Sequence, residues 1–199
     1  MRRTRFPFWQ FSLRTYRAAG VAEACLALQD DCGADVNLLL YCCWMAARGR
    51  RLTKRSLRSA ITAVSGWQGE VVRPLRQARR ALKKGRRAVA RVWSESLREC
   101  IGAAELDAEY VEQRILAGHA APGSRPTGRR EPRAVATANL ESYFELLRAA
   151  IGPRQSRHLG TLTDDRLFRH RAPSPRSASR RDRRAPSSRV RRVPRPYRD

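Results

Sequence analysis

The fold class follows from residues 36–48, VNLLLYCCWMAAR. In a helix these apolar side chains cover every face, because Asn37 is the only amide or charged residue before Arg48. A helix without a polar face belongs at the centre of a bundle of helices. Asp35 stands directly before the stretch, and we predict that its carboxylate caps the helix by accepting a hydrogen bond from a backbone N–H. The stretch is too short to cross a bilayer, so we expect no membrane insertion.

Apolar residues recur at helical spacing on both sides of this central stretch. One face of the preceding helix carries Val21, Cys25, Leu28 and Cys32. Gly33 is predicted to end that helix in the left-handed conformation, and Thr53 to cap the fourth helix. We expect a break at residues 66–69, GWQG, and then a fifth helix with Pro74 in its first turn or at a kink. A long sixth helix follows, bent or split at Gly102.

The sequence therefore predicts an all-α fold, a compact bundle of about six or seven helices with a disordered basic C-terminal tail. The predicted divisions are a disordered N-terminus (1–7), the helical bundle (8–118), a linker (119–133), a C-terminal helix packed on the bundle (134–151) and a disordered Arg-rich tail (152–199). The expected core includes Leu28, Leu39, Leu40, Cys43, Trp44, Ile61, Leu75, Leu82 and Trp93. Residues 166–199 contain 13 arginines and five prolines, a composition that buries too little apolar surface to offset the entropy of ordering.

The chain is strongly basic, with 42 Lys and Arg against 18 Asp and Glu and a formal net charge of +24. Such a balance favours polyanionic partners, either nucleic acid or an anionic membrane surface. Nearly all of the cations are arginine, and a GC-rich genome, whose codons favour Arg, Ala, Gly and Pro, explains most of that preference. The same codon bias leaves two interpretations of residues 152–199, a lineage-specific extension or a frameshifted end.

The five cysteines are Cys25, Cys32, Cys42, Cys43 and Cys100. They lie in apolar, helix-like runs, and the basic N-terminus does not lead into the apolar segment of a secretory signal. We therefore expect reduced, mostly buried thiols in a cytoplasmic protein. The histidines are His119, His158 and His170. They fall in the predicted linker and tail, away from the cysteines, so we predict no metal site; no catalytic or cofactor-binding motif occurs, so we predict no catalytic residue and no cofactor.

Residues 21–44, VAEACLALQDDCGADVNLLLYCCW, carry a family resemblance. They resemble an uncharacterised proteobacterial family, domain of unknown function 2390. The resemblance extends through Trp67 and residues 71–76, 79–83, 105–106, 112–113 and, more faintly, 139–140. The similarity covers roughly residues 8–150. It implies a compact helical cytosolic protein, and it implies no known activity, cofactor or catalytic residue.

A basic stripe on the predicted fifth helix is the first candidate site. The candidate contacts for phosphate or nucleic acid are Arg73, Arg76, Arg79, Arg80, Lys83, Lys84 and Arg87. Spacings of three and four residues place most of them on one face, opposite the expected buried line Val71, Leu75, Ala78 and Leu82. Phosphate contacts of this kind give salt-dependent affinity with weak sequence preference. The alternative is a solvated face paired with acidic residues of the sixth helix, such as Glu105, Asp107, Glu109 and Glu112.

A polar corner formed by Asp30, Asp35 and Asn37 is the second candidate. Clustered carboxylates and amides can hold a metal or perform acid–base chemistry. We favour a structural role, in which Asp35 caps a helix and Asn37 finds a buried partner. Asp30 is the partner that we expect for Asn37.

Three functional hypotheses follow. The first is a non-enzymatic interaction protein that binds nucleic acid or a ribonucleoprotein through the basic helix. The second is an adaptor whose basic face docks an acidic protein. The third is an enzyme with an unrecognised site at the corner of Asp30, Asp35 and Asn37.

Overall fold

The computed structural model describes residues 5–83, 91–119, 125–126 and 131–169, which fold into helices around an apolar core. The α-helices are α1 (Pro7–Tyr16), α2 (Val21–Cys32), α3 (Val36–Ala47), α4 (Lys54–Trp67), α5 (Arg73–Lys83), α6 (Arg91–Gly118), α7 (Pro132–Leu147) and α8 (Pro153–Leu162). A 3₁₀ turn, Asp165–Leu167, follows α8, and strands β1 (Arg50–Arg51) and β2 (Arg125–Pro126) pair antiparallel. The all-α prediction is confirmed, since this short pair is the sole sheet in the described part of the chain.

Helix α3 is the centre of the fold, as its sequence predicts. Every residue from Val36 to Ala46 is buried, and α3 packs against α1, α2, α6 and α7. Its N-terminus is capped by Asp35, whose Oδ1 accepts hydrogen bonds from the backbone N–H groups of Asn37 and Leu38 at 2.7 and 3.4 Å. Such a cap contributes about 1 kcal/mol, because it satisfies N–H groups that have no partner within the helix. Among the described residues, no helix combines the length and the apolar character needed to cross a membrane.

Helices α1 and α2 approach α3 through an aromatic contact and a tight turn. The ring of Phe8 stacks on Trp44 with centroids 4.8 Å apart and meets Tyr41 edge to face at 5.9 Å. Aromatic pairs of this kind contribute about 1 kcal/mol beyond the area that they bury. Helix α2 ends at Gly33, whose φ of 67° confirms the predicted left-handed conformation. Because that conformation is strained for a residue with a Cβ, glycine allows the short reversal into α3.

Helices α4 and α5 form one continuous helix, so the predicted break at residues 66–69 is wrong. A π-helical turn, Gln68–Val72, joins them. The turn widens the backbone hydrogen-bond ladder directly before Pro74, whose ring supplies no N–H to that ladder. Trp67 anchors the turn, because its indole N–H donates to the carbonyl of Ala108 at 2.9 Å. With α4 and α5 counted as one helix, the described part of the chain contains seven α-helices.

Helix α6 is also uninterrupted, so the predicted split at Gly102 is wrong, and the alternative of a bend there stays a prediction. Gly102 instead allows the close approach of α5: a Cβ at this position would lie 3.4 Å from Cδ of Arg79. That distance is tight for a side-chain contact, so the absence of a Cβ lets the arginine cross the helix. The glycine therefore serves the packing of α5 on α6.

The predicted core is confirmed at its centre and wrong at one end of α6. The confirmed members are Leu28, Leu39, Leu40, Cys43 and Trp44. Ile61, Leu75 and Leu82 are only half-buried, and Trp93 is 72% exposed. Helices α5 and α6 are antiparallel, with Arg79 beside Gly102, so the first turn of α6 extends past the last residue of α5.

The predicted divisions are wrong at both ends of the bundle. Helix α1 begins at Pro7, and Phe6 packs edge-on against Tyr110 with centroids 5.4 Å apart, so the prediction of disorder over residues 1–7 extends too far. Helix α7 is Pro132–Leu147, displaced from the predicted 134–151. Residues 1–4, 120–124 and 127–130 of the predicted N-terminus and linker lie outside the described residues.

Helix α8 lies where a disordered tail is predicted, so that prediction is wrong from residue 153 to residue 169. Leu162 is fully buried, and its carbonyl accepts a hydrogen bond from the Cys43 thiol with Sγ 3.5 Å away. Leu167 of the following 3₁₀ turn is also buried. These two leucines bury enough apolar surface to hold a short polar helix against α2 and α3. The remainder of the predicted tail, residues 170–199, lies outside the described residues.

Replacement of Leu162 tests whether α8 belongs to the folded unit. We expect Leu162→Ala to lower the free energy of unfolding by about 2–4 kcal/mol, because it leaves a cavity in the core. Urea denaturation followed by circular dichroism measures this change. Ile151→Ala, at a residue that is 38% exposed, is the control and should change stability by less than about 1 kcal/mol. Equal, small effects of both replacements would contradict the packing of α8.

Candidate functional site

The basic stripe of α5 is divided into an inner and an outer half. Arg76 belongs to the inner half: its Nε donates to Glu105 Oε1 at 2.9 Å and its Nη2 to Glu109 Oε1 at 2.6 Å. Arg79 joins it, with Nε 2.5 Å from Glu105 Oε2. The Arg76 side chain is only 14% exposed. These two arginines therefore attach α5 to α6, as the alternative interpretation of the stripe expected.

The outer half consists of Arg73, Arg80 and Lys83, which face solvent. Arg80 is 45% exposed and lies 3.2 Å from Asp30, a carboxylate that is itself 56% exposed. Arg73 donates a hydrogen bond to the Gln68 side chain, and neither Arg73 nor Lys83 forms an ion pair with a described carboxylate. The last two predicted contacts, Lys84 and Arg87, lie outside the described residues.

The helical face that α5 turns inward differs from the predicted one. Ala78, placed in the predicted buried line, is exposed, whereas Arg76 and Arg79 are half-buried against α6. Burial alone would raise the pKa of Glu105, but hydrogen bonds from Arg79 and Arg76 outweigh it and lower that pKa. At Glu109 burial outweighs the attraction of Arg76, so its pKa is raised. Two neighbouring carboxyl groups of α6 thus differ in their affinity for a proton.

A buried polar cluster lies where α3, α6 and α7 meet. Asn37 Nδ2 donates to Glu112 Oε2, and Gln113 Nε2 donates to Asn37 Oδ1, both at 2.8 Å. The backbone N–H of Asp35 donates to the hydroxyl oxygen of Tyr143 at 2.9 Å. Asn37, Glu112 and Gln113 are each at most 3% exposed. The cluster satisfies the one amide of the apolar helix α3.

The predicted polar corner is only partly assembled. Asp35 and Asn37 belong to the buried cluster, but Asp30 lies on the surface beside Arg80. The prediction that Asp30 pairs with Asn37 is therefore wrong, because Glu112 and Gln113 take that place. The reason is geometric: Asp30 lies on the outer face of α2, whereas Asn37 is in the first turn of α3 and points toward α6.

The environment of Glu112 favours its protonated form, because its pKa is raised. Burial, followed by the nearby charge of Asp35, raises the pKa of Glu112 well above the usual carboxyl range. Glu112 Oε1 and Asp35 Oδ2 are both buried and have no partner among the described residues if both groups are ionised. A proton on Glu112 Oε1 satisfies both oxygens, because it can be donated to the Asp35 carboxylate.

The thiols and histidines form no metal-binding set among the described residues. Burial raises the pKa of Cys25 to about 12 and also raises the pKa values of Cys42 and Cys43. These three thiols are protonated packing residues, because a reactive cysteine needs a lowered pKa and access to solvent. Cys100 is exposed on α6.

A pocket of about 370 Å³ lies beside the polar cluster, between α1, α2, α5 and α6. Its wall includes the Arg76–Glu105 pair, and its lining also includes Asn37 and Gln113. Sequence reasoning missed this pocket and the role of Glu112. One signal for the cluster was available: Glu105, Glu109 and Glu112 recur at i, i+4 and i+7, which places three carboxyl groups on one face of a helix.

Comparison with known protein families gives a match. A family model described as "Protein of unknown function (DUF2390)" matches residues 7–116. The matched segment runs from α1 almost to the end of α6 and contains Asn37, Glu112 and Gln113, so the resemblance noted in the sequence is confirmed there. No curated protein and no solved structure matches the chain.

Replacement of Glu112 tests the protonated state. Folded Glu112 keeps its proton while the unfolded side chain loses it above pH ~4.3, so unfolding releases a proton and stability falls as pH rises through neutrality. Glu112→Gln, which accepts from Asn37 and donates to Asp35 without a titrating proton, should reduce the loss of stability between pH 6 and pH 9. Urea denaturation at several pH values measures this slope.

Glu112→Ala is the companion variant, and it should lose about 2–4 kcal/mol because Asn37 and Asp35 keep buried polar atoms without partners. If Glu112→Gln showed the same pH slope as the parent protein, an ionised Glu112 would be indicated instead.

Replacement of arginines on α5 tests the division of the stripe. Arg76→Ala should lower the free energy of unfolding by about 2–4 kcal/mol, because it leaves the Glu109 carboxyl buried without its cation. Arg73→Ala, three residues earlier on the same helix, is the matched control and should have an effect of less than about 0.5 kcal/mol. Thermal and urea denaturation of both variants provide the comparison, and similar losses at the two positions would contradict it.

Proposed function

We propose that this chain, which belongs to the DUF2390 family of proteins of unknown function, is a non-enzymatic cytoplasmic interaction protein. We further propose that it binds nucleic acid or a ribonucleoprotein. The contacts would be made by the outer half of the stripe, Arg73, Arg80 and Lys83. The family description names no activity, so the proposal rests on the charges and contacts of the described residues. The cysteines of the described residues are free, which fits a reducing compartment such as the cytoplasm.

The observation that carries the proposal is the unequal use of the cations on α5. Arg76 and Arg79 form ion pairs with Glu105 and Glu109. Arg73 and Lys83, in contrast, are exposed and lack an acidic partner among the described residues. Because ion pairs attach α5 to α6, the outer cations lie together on the exposed side of a packed helix. Cations on a folded helix lose less entropy when they meet phosphates than cations on an unstructured segment would.

The expected interaction is electrostatic and weakly selective for sequence. Each phosphate that is neutralised by a cation releases bound counterions, so affinity falls as salt concentration rises. Three cations on α5 can account for a salt slope of roughly −2 to −3. The further arginines of residues 170–199 add positive charge to the whole chain and would raise non-specific attraction.

A second candidate function, an adaptor that docks an acidic protein, is favoured by one contact. Arg80 already binds a surface carboxylate, that of Asp30, with both terminal nitrogens 3.2 Å from Oδ1. A carboxylate of a partner protein could be held in the same way. The positions of these residues do not favour an enzyme site at this corner, because Asp30 lies on the surface, apart from Asp35 and Asn37.

Binding of labelled oligonucleotides across a salt series tests the proposal. We expect fluorescence anisotropy to show binding at low salt, and the triple variant Arg73→Glu, Arg80→Glu, Lys83→Glu to weaken it at least tenfold and to flatten the salt slope by about 2–3. The matched control reverses Arg148, Arg157 and Arg169, three exposed arginines near α8 with the same total charge change.

Three results would count against the nucleic-acid proposal. The first is undetectable binding by the parent protein at low salt. The second is an equal loss in both triple variants, since net charge alone would then explain the affinity. The third is saturable binding of polyglutamate without binding of any oligonucleotide, which would favour the adaptor.

A further inference from the structure

The pocket beside the polar cluster has the size and position of a small-molecule site. Its volume of about 370 Å³ falls within the range of known ligand pockets, roughly 300–1,000 Å³. The helices around it are held by contacts outside the pocket's own lining as well as within it. Ion pairs hold α5 on α6, and aromatic contacts pack α1 on α3. The cavity is therefore a feature of the folded bundle, and it does not depend on a loop.

Three leucines and two arginines, Arg17 and Arg80, occupy the exposed part of the pocket. Leu13 of α1, Leu26 of α2 and Leu106 of α6 all line it, and they are 36%, 41% and 37% exposed. Three helices thus each contribute a partly exposed leucine to the same rim. Isolated exposed leucines are ordinary on a protein surface. A group of them around one cavity can bury the apolar part of a ligand.

The floor of the pocket carries two polar atoms without partners. Ser12 and Gln113 line the pocket and are 3% and 2% exposed. Ser12 Oγ and Gln113 Oε1 have no hydrogen-bond partner among the described residues. The orientation of Gln113 is set by the cluster, because its Nε2 donates to Asn37. A buried acceptor without a donor costs free energy, so a ligand that supplies an N–H or O–H would recover it.

The arginines of the lining differ in their availability to a ligand. Arg76 and Arg79 are already bound to carboxylates of α6, and a ligand anion would have to displace these from a buried position. Arg17 and Arg80 also line the pocket and are exposed. Away from these two cations, the groups left for a ligand are hydrogen-bond acceptors and apolar carbon.

We propose that this pocket binds a small organic molecule with an apolar or aromatic body and an uncharged N–H or O–H donor at one end. The body would lie against Leu13, Leu26 and Leu106, and the donor would reach Gln113 Oε1 or Ser12 Oγ. The pocket lining includes Arg80, one of the outer cations of α5, so the pocket adjoins the surface proposed to bind nucleic acid. Probe binding is measured without nucleic acid and therefore tests the pocket by itself.

Two pairs of probe molecules test the proposal on the unaltered full-length protein. Indole and phenol carry the donor, and 1-methylindole and anisole are the matched probes in which a methyl group replaces its hydrogen. Saturation-transfer NMR and calorimetric titration measure binding, with a Kd expected on the order of 1 mM for indole because the probe is small. The methylated probes should bind at least about fivefold more weakly, the effect of losing one hydrogen bond.

Two variants locate the binding. Leu26→Glu places a charge at the mouth and should weaken indole binding at least tenfold, while Leu97→Glu, at a residue of α6 that is 52% exposed and outside the pocket lining, should leave it unchanged. Circular dichroism verifies that both variants are folded.

Three outcomes would overturn the proposal. They are the absence of saturable binding by both indole and phenol, equal binding of the methylated probes, and equal effects of the two leucine variants. The first two are read on the parent protein and so do not depend on the folding of any variant.

Discussion

Three carboxyl groups on the inner face of α6 determine how the neighbouring helices are arranged. Burial of a charge is costly unless it is paired or neutralised, and each carboxyl group meets that requirement in its own way. Glu105 and Glu109 obtain a cation from α5 through Arg76. Glu112 has a raised pKa, which favours its neutral form, and accepts a hydrogen bond from Asn37 of α3. The positions of α3 and α5 on α6 are thereby linked, since a shift of either helix would leave a buried group without its partner.

The same interactions decide which parts of the surface remain available for partners. The inner arginines of α5 form ion pairs with α6, and the outer cations lie on the solvent-facing side of the same helix. Beside them, the bond between Gln113 and Asn37 uses the amide nitrogen of Gln113 and leaves its oxygen buried without a partner among the described residues. The polar contacts that stabilise the bundle thus also define the two candidate binding surfaces.

Local features of the fold were predictable because they depend on residues close in sequence. The Asp35 cap, the left-handed Gly33 and the apolar helix α3 each require only a few neighbouring residues. The errors have a different origin. The stretch around the π turn reads as a break because Gly66, Gly69 and Pro74 are poor helix formers. The tertiary structure supports it through the buried Val72 and through the hydrogen bond from Trp67 to α6. Helix α8 was missed because its few apolar residues gain their stability from a core that other helices supply.

By itself, the sequence determined a helical bundle around one fully apolar helix, an excess of arginine and membership of an uncharacterised family. Only the tertiary structure decided which charges face outward, because burial and pairing depend on the rotation of α5 against α6. Asn37 shows the same limit, since its partners Glu112 and Gln113 lie 75 and 76 residues away along the chain. Periodicity specifies the face of a helix on which a residue lies, whereas its hydrogen-bond partner is set by the helix that packs against that face.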